Sequence, residues 1–132
     1  MAVPPVTAGS PPPAEAQGDS RAESDALIRQ SISLGAEAER KLSAAIGKRA
    51  FDAVRSATIV DPSNVAAWRA LGNAILAVDA RFLRSAAISA VSGGKKDAFV
   101  RDIERAIRGV RQYDPSNTAL VDRLSSALAR TR

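Results

Sequence analysis

The stretch Asp61-Pro62-Ser63-Asn64-Val65-Ala66-Ala67-Trp68-Arg69-Ala70-Leu71-Gly72 decides how this chain is read. Pro62 has no amide hydrogen and disfavours helical backbone at Asp61, so a helix entering this stretch must stop there. Ser63 or Asn64 offers a side-chain oxygen to cap the helix that follows. Trp68, Leu71, Ile75 and Val78 then recur at steps of three and four, which is one apolar face of a helix over about Val65 to Val78. The tetrapeptide Asp-Pro-Ser-Asn returns at 114–117, 53 residues further on, again between two amphipathic segments. A stop-and-cap element repeated at equivalent places is a repeat signal, and it predicts antiparallel helical hairpins.

Upstream of this stretch, Ala50, Val54 and Ala57 form a narrow apolar seam flanked by Phe51 and Thr58, predicting a helix over about Lys48 to Val60. Before that, Leu27, Ser31, Leu34, Ala38, Leu42 and Ala45 lie on one helical face from Ser20 onward. Ser20 or Ser24 is the expected cap of this helix, and Gly47 its expected end. Downstream, Asp79 is the expected break and cap, with a helix over about Ala80 to Val91 that turns Leu83, Ala87, Ile88 and Val91 inward. Gly93-Gly94 stops it. Phe99, Ile103, Ala106, Ile107 and Val110 give the clearest stripe, over about Asp97 to Gln112. Leu120, Leu124 and Leu128 give the last, over about Thr118 to Ala129. No segment alternates with period two, so no sheet is expected.

The reading is therefore all-α, about six helices over residues 20–132. Residues 1–19 hold five of the seven prolines with little to bury, and are expected to form a disordered Pro/Ala-rich tail or a docking segment. The 132 residues suffice for one domain, and with one Trp, one Tyr and three Phe the core must be mostly aliphatic. There is no cysteine or histidine, which excludes disulfides, Cys/His metal sites and imidazole catalysis. No apolar run approaches the roughly 18–20 residues of a membrane span, and the start lacks a secretory pattern. A cytoplasmic location is expected. Fifteen arginines against four lysines, with abundant alanine, fit a GC-rich bacterial genome.

Trp68-x-x-Leu71-Gly72-x-x-Ile75, preceded by Ala50-x-x-x-Val54-x-x-Ala57 and Pro62, resembles the junction between two tetratricopeptide repeats, best over residues 47–76. The resemblance implies a short superhelix of hairpins, with Ala50, Ala57 and Gly72 allowing close crossings that Trp68 and Leu71 fill. The family period is about 34 residues, so a 53-residue offset leaves room for one additional helix. A generic alanine-rich bundle is the alternative. The family resemblance also implies a partner-binding face on the first helices of the hairpins. Arg69 and Asn73 resemble the basic residue and asparagine of the subset that grips a peptide carboxylate, with Arg123 as the one further candidate on the last helix.

No residues suggest an enzyme. Ser92-Gly93-Gly94-Lys95-Lys96 lacks the flanking residues of a phosphate loop, and Glu37 and Glu39 diverge around a helix. No metal or cofactor is expected. Net charge is −2 over residues 1–30, +3 over 31–94 and +4 over 95–132. Lys95, Lys96, Arg101, Arg105, Arg108 and Arg111 form a candidate face for an anionic partner, nucleic acid included, or a solvated helix face. A membrane-surface role for Arg81, Arg84 and the Phe82–Val91 helix conflicts with the need for those apolar residues in the core. The expectation is a non-enzymatic interaction module, acting as adaptor, chaperone or scaffold, that binds a peptide or helix of another protein and is able to self-associate. The alternatives are a basic nucleic-acid-binding protein and a structural subunit of a secretion or phage assembly.

Overall fold

A computed structural model describes residues 14–132, with side chains from residue 18 onward; most of the expected Pro-rich tail thus lies outside the described residues. The described chain is all-α, with six helices in the order α1 (Ala14–Lys41), α2 (Ala44–Val60), α3 (Val65–Asp79), α4 (Arg84–Ser92), α5 (Lys96–Tyr113) and α6 (Thr118–Thr131). Helix α1 begins ahead of Ser20, and Ser24 lies inside it rather than at its cap.

The α1/α2 hairpin shows how small polar residues set a crossing. Ser24 Oγ donates to the Ala57 carbonyl at 2.8 Å and Ser31 Oγ to the Ala50 carbonyl at 2.7 Å. As one position advances along α1, its partner retreats along α2, so the helices are antiparallel. The turn between them corrects the sequence reading. Leu42 takes a left-handed conformation with φ 51°, and Ser43 caps α2 by accepting from the Ile46 amide at 3.2 Å. Gly47 therefore lies within α2 and ends nothing. Leu42, expected on the buried face, is 90% exposed.

Helices α2 and α5 run parallel: Phe51 meets Phe99 with ring centroids 6.3 Å apart, and Arg55 reaches Asp102 at 2.7 and 3.1 Å. Helices α3 and α6 also run parallel, with Gly72 against Leu120 and Asp79 held by Arg130. The molecule is thus two layers. Helices α1, α3 and α6 form one row, and α2 and α5 form the other, antiparallel to it. The short α4 packs on α2, α3 and α5. Phe51, Val54, Leu71, Ile75, Ile88, Phe99, Ile103, Val110 and Leu124 fill the space between layers. Ala50, Ala57, Trp68 and Gly72 are buried as expected, while Pro62 sits exposed in its turn.

A second correction falls on α4. Residues 80–83 form a turn, so the helix starts at Arg84 and not at Ala80. Phe82 and Leu83 consequently point to solvent, 99% and 68% exposed. Gly93 and Gly94 do end α4, at φ 65° and 81°, where a side chain would be strained.

Candidate functional site

The two Asp-Pro-Ser-Asn turns share one design. Asp61 and Asp114 each close the preceding helix, donating their amides to Ala57 and Val110 carbonyls. Each aspartate also accepts from an arginine on the preceding first-row helix. Arg21 Nε reaches Asp61 at 2.7 Å, and Arg69 Nε reaches Asp114 at 2.8 Å with Nη2 at 3.2 Å. Ser63 adds its amide and hydroxyl to Asp61. Burial raises the proton affinity of Asp61, but the bonds from Ser63 and Arg21 outweigh it and hold its carboxyl below the ordinary range. At Asp114 the Arg69 bond dominates, with help from Asn117, and lowers it likewise.

The asparagines differ. Asn117 Oδ1 accepts from the Leu120 amide at 3.3 Å and caps α6. Asn64 makes no such cap; its amide group donates to Ser24 Oγ and Asp25 Oδ1, both at 2.9 Å, and fastens α3 to α1. An asparagine expected to serve its own helix serves the neighbouring one instead.

Trp68 sits between α3 and α5 with 4% exposure. Its Nε1 donates to the Pro62 carbonyl at 2.6 Å. Helix α5 presents Arg105, Gly109 and Tyr113 to it, one turn apart on a single ridge. The Arg105 guanidinium carbon lies 4.8 Å from a Trp68 ring centroid, and Tyr113 stacks at 6.2 Å and 7°. Burial lowers the Arg105 pKa. At Gly109 the indole comes so close that no Cβ fits.

These contacts re-sort the predicted site residues. On the first row, Arg69 is exposed along its stem but engaged with Asp114 of its own chain. Asn73 and Arg123 are exposed and make no side-chain hydrogen bond or ion pair among the described residues. With Gly72 against Leu120, they lie at neighbouring levels of two parallel helices. The basic face of α5 is not continuous. Arg105 is turned onto Trp68, which separates Lys95, Lys96 and Arg101 at the helix start from Arg108 and Arg111 near its end. The first three, with Asp97, line an open depression of about 300 Å³. Gly109, Arg55 and Ser24 as structural anchors escaped the sequence reading. The spacing Arg105-x-x-x-Gly109-x-x-x-Tyr113 puts all three on one ridge of α5, but nothing in the sequence says that Trp68 lies against that ridge.

Among the described residues there is no cluster of acids that could hold a metal ion and no helix long and apolar enough to cross a membrane. Comparison with family models, with curated proteins and with solved structures gives no significant match.

Proposed function

We propose that this chain is a non-enzymatic protein-interaction module of tetratricopeptide-like design, which receives a peptide or helix of another protein on the outer face of α1, α3 and α6. The observation that supports this reading is the row itself. Three parallel helices lie side by side in one layer, backed by α2 and α5, with nothing among the described residues packed on their outer surface. Asn73 and Arg123 stand there with their donors unused among the described residues, ready for a carbonyl or carboxylate. Arg69 is occupied by Asp114 and serves the turn rather than the partner.

The test is affinity capture from the host cell with wild type and with Asn73→Ala/Arg123→Glu. Both positions are exposed, so the variant keeps its fold. A protein held stoichiometrically by wild type and lost from the variant supports the reading. An identical capture profile for both, or a chain that holds no protein, contradicts it.

A further inference from the structure

One end of the bundle gathers three turns: Leu42-Ser43 between α1 and α2, residues 80–83 between α3 and α4, and Gly93-Gly94 before α5. The contact of Arg81 with Glu39 ties the second turn to the first, and the Phe51–Phe99 pair sets the first turn of α5 level with a point about two turns into α2, on the same half of the bundle. Two of these turns carry apolar tips. Leu42, Phe82 and Leu83 are 90%, 99% and 68% exposed. They stand on turns and not along a groove, so they protrude. Scattered exposed leucines need no account, but three large apolar side chains on two turns that Arg81 and Glu39 tie together mark a candidate interaction site.

The charge at this end has one sign left over. Glu37 is paired with Lys41, Glu39 with Arg81, Asp52 with Lys48 and Arg55, and Asp79 with Arg84 and Arg130. Only Asp97 among the side-chain carboxylates here lacks a cation among the described residues. Arg40, Arg49, Lys95 and Lys96 are exposed and form no ion pair among the described residues. Apolar tips at an end that also carries unpaired cations match the two layers of an anionic lipid surface, headgroup charge outside and acyl chains beneath.

We propose that this end of the bundle docks onto an anionic lipid bilayer, inserting Phe82, Leu83 and Leu42 while Lys95, Lys96, Arg40 and Arg49 contact the headgroups. The inference goes beyond the first-row reading and does not depend on it, because neither Asn73 nor Arg123 is among the residues it uses. Protruding tips favour a soft, penetrable partner over a second copy of the same end, whose own cations would oppose it.

The experiment is co-flotation of the full chain with vesicles of phosphatidylcholine alone and of phosphatidylcholine with equimolar phosphatidylglycerol, at low and moderate salt. Wild type binds the anionic vesicles, more weakly as salt rises, and not the neutral ones. Phe82→Ser/Leu83→Ser lowers the partition constant by roughly tenfold or more, with helicity and melting unchanged because both side chains are already in solvent. Lys95→Glu/Lys96→Glu lowers it by roughly fivefold or more per lysine. Failure of wild type to bind anionic vesicles at low salt overturns the proposal, as does undiminished binding by the serine variant. Self-association, or duplex DNA binding, abolished by these same variants in a chain that ignores vesicles assigns the patch to that other partner and overturns it too.

Discussion

Replacing Gly109 by alanine gives the sharpest test of how the two layers are joined. In a bare helix the change is favourable by roughly 1 kcal/mol, since alanine loses less backbone entropy. Here a methyl on Gly109 falls 2.2 Å from Trp68 Cε3 and 2.3 Å from Cδ2, against about 3.5–4.0 Å for relaxed carbon contacts. The ring has little freedom to withdraw. It is nearly fully buried, held by its 2.6 Å bond to Pro62 and stacked on Tyr113. Overpacking of this kind costs about 1–3 kcal/mol, and a displaced indole forfeits a hydrogen bond of about 1 kcal/mol. Against the propensity gain, the net loss is about 1–3 kcal/mol. Urea titration measures it, and Trp68, the sole tryptophan, reports the local change through its emission. Gly35→Ala is the control. Nothing lies within 4 Å of a methyl there, so that variant is expected to gain up to about 1 kcal/mol. In a Trp68→Leu background the Gly109→Ala penalty should shrink or reverse. A Gly109→Ala protein as stable as wild type, with unchanged Trp68 emission, refutes the packing.

Three further outcomes follow from the same contacts. Trp68→Ala should cost roughly 3–5 kcal/mol of unfolding free energy, and a loss below about 1 kcal/mol would contradict its burial. Arg55→Ala removes both bonds to Asp102, whose side chain is only 12% exposed, and leaves that carboxylate unpaired. A charged hydrogen bond of this kind is worth about 1.5–3 kcal/mol, so chemical denaturation should show a clear drop, whereas an unchanged midpoint argues against the α2–α5 link. Acid titration tests the turns. Asp61, Asp79 and Asp114 are all held below the usual carboxyl range; at Asp79 burial opposes this and the arginine bonds overcome it. A depressed carboxyl contributes stability above its unfolded value of about 3.9, and that contribution disappears as pH falls through the folded value. Stability should therefore stay level from about pH 8 down to about pH 5 and decline below about pH 4, with a shallower acid limb in Asp61→Asn/Asp114→Asn. The chain has no histidine, so a decline beginning near pH 6–7 would contradict the assignment.

The helices were legible where two signals agreed. Asp61-Pro62 and Asp114-Pro115 stop a helix by steric exclusion, and the Gly93-Gly94 pair by conformational freedom, so those boundaries fell within a residue or two. The α1–α2 boundary was not legible because Leu42 adopts a left-handed conformation that its residue type disfavours, with Ser43 capping the next helix. The apolar period simply runs through it. Phe82 and Leu83 were misplaced for a related reason. Periodicity assigns them to a helix, but Ala80 to Leu83 spend their backbone on the turn that carries the chain from α3 to α4.

The site residues were legible as exposed polar positions and not as partners. Arg69 and Arg105 read as free cations because helical spacing carries no information about Asp114 or Trp68, which are brought to them by tertiary packing. The duplication of the turn was visible. What it does, which is to give each aspartate an arginine from the previous first-row helix, depends on the parallel register of α1, α3 and α6.

In the proposed function, the outer face of that row receives the partner. The chain has no cysteine, so a single one introduced at Asn73, Arg123, Arg101 or Phe82 carries a photocrosslinker at one known place. Labelled chains irradiated in host extract should trap the same protein from positions 73 and 123, and not from 101 or 82. Trapping confined to position 101 or 82, with none from the row, would contradict the proposed function.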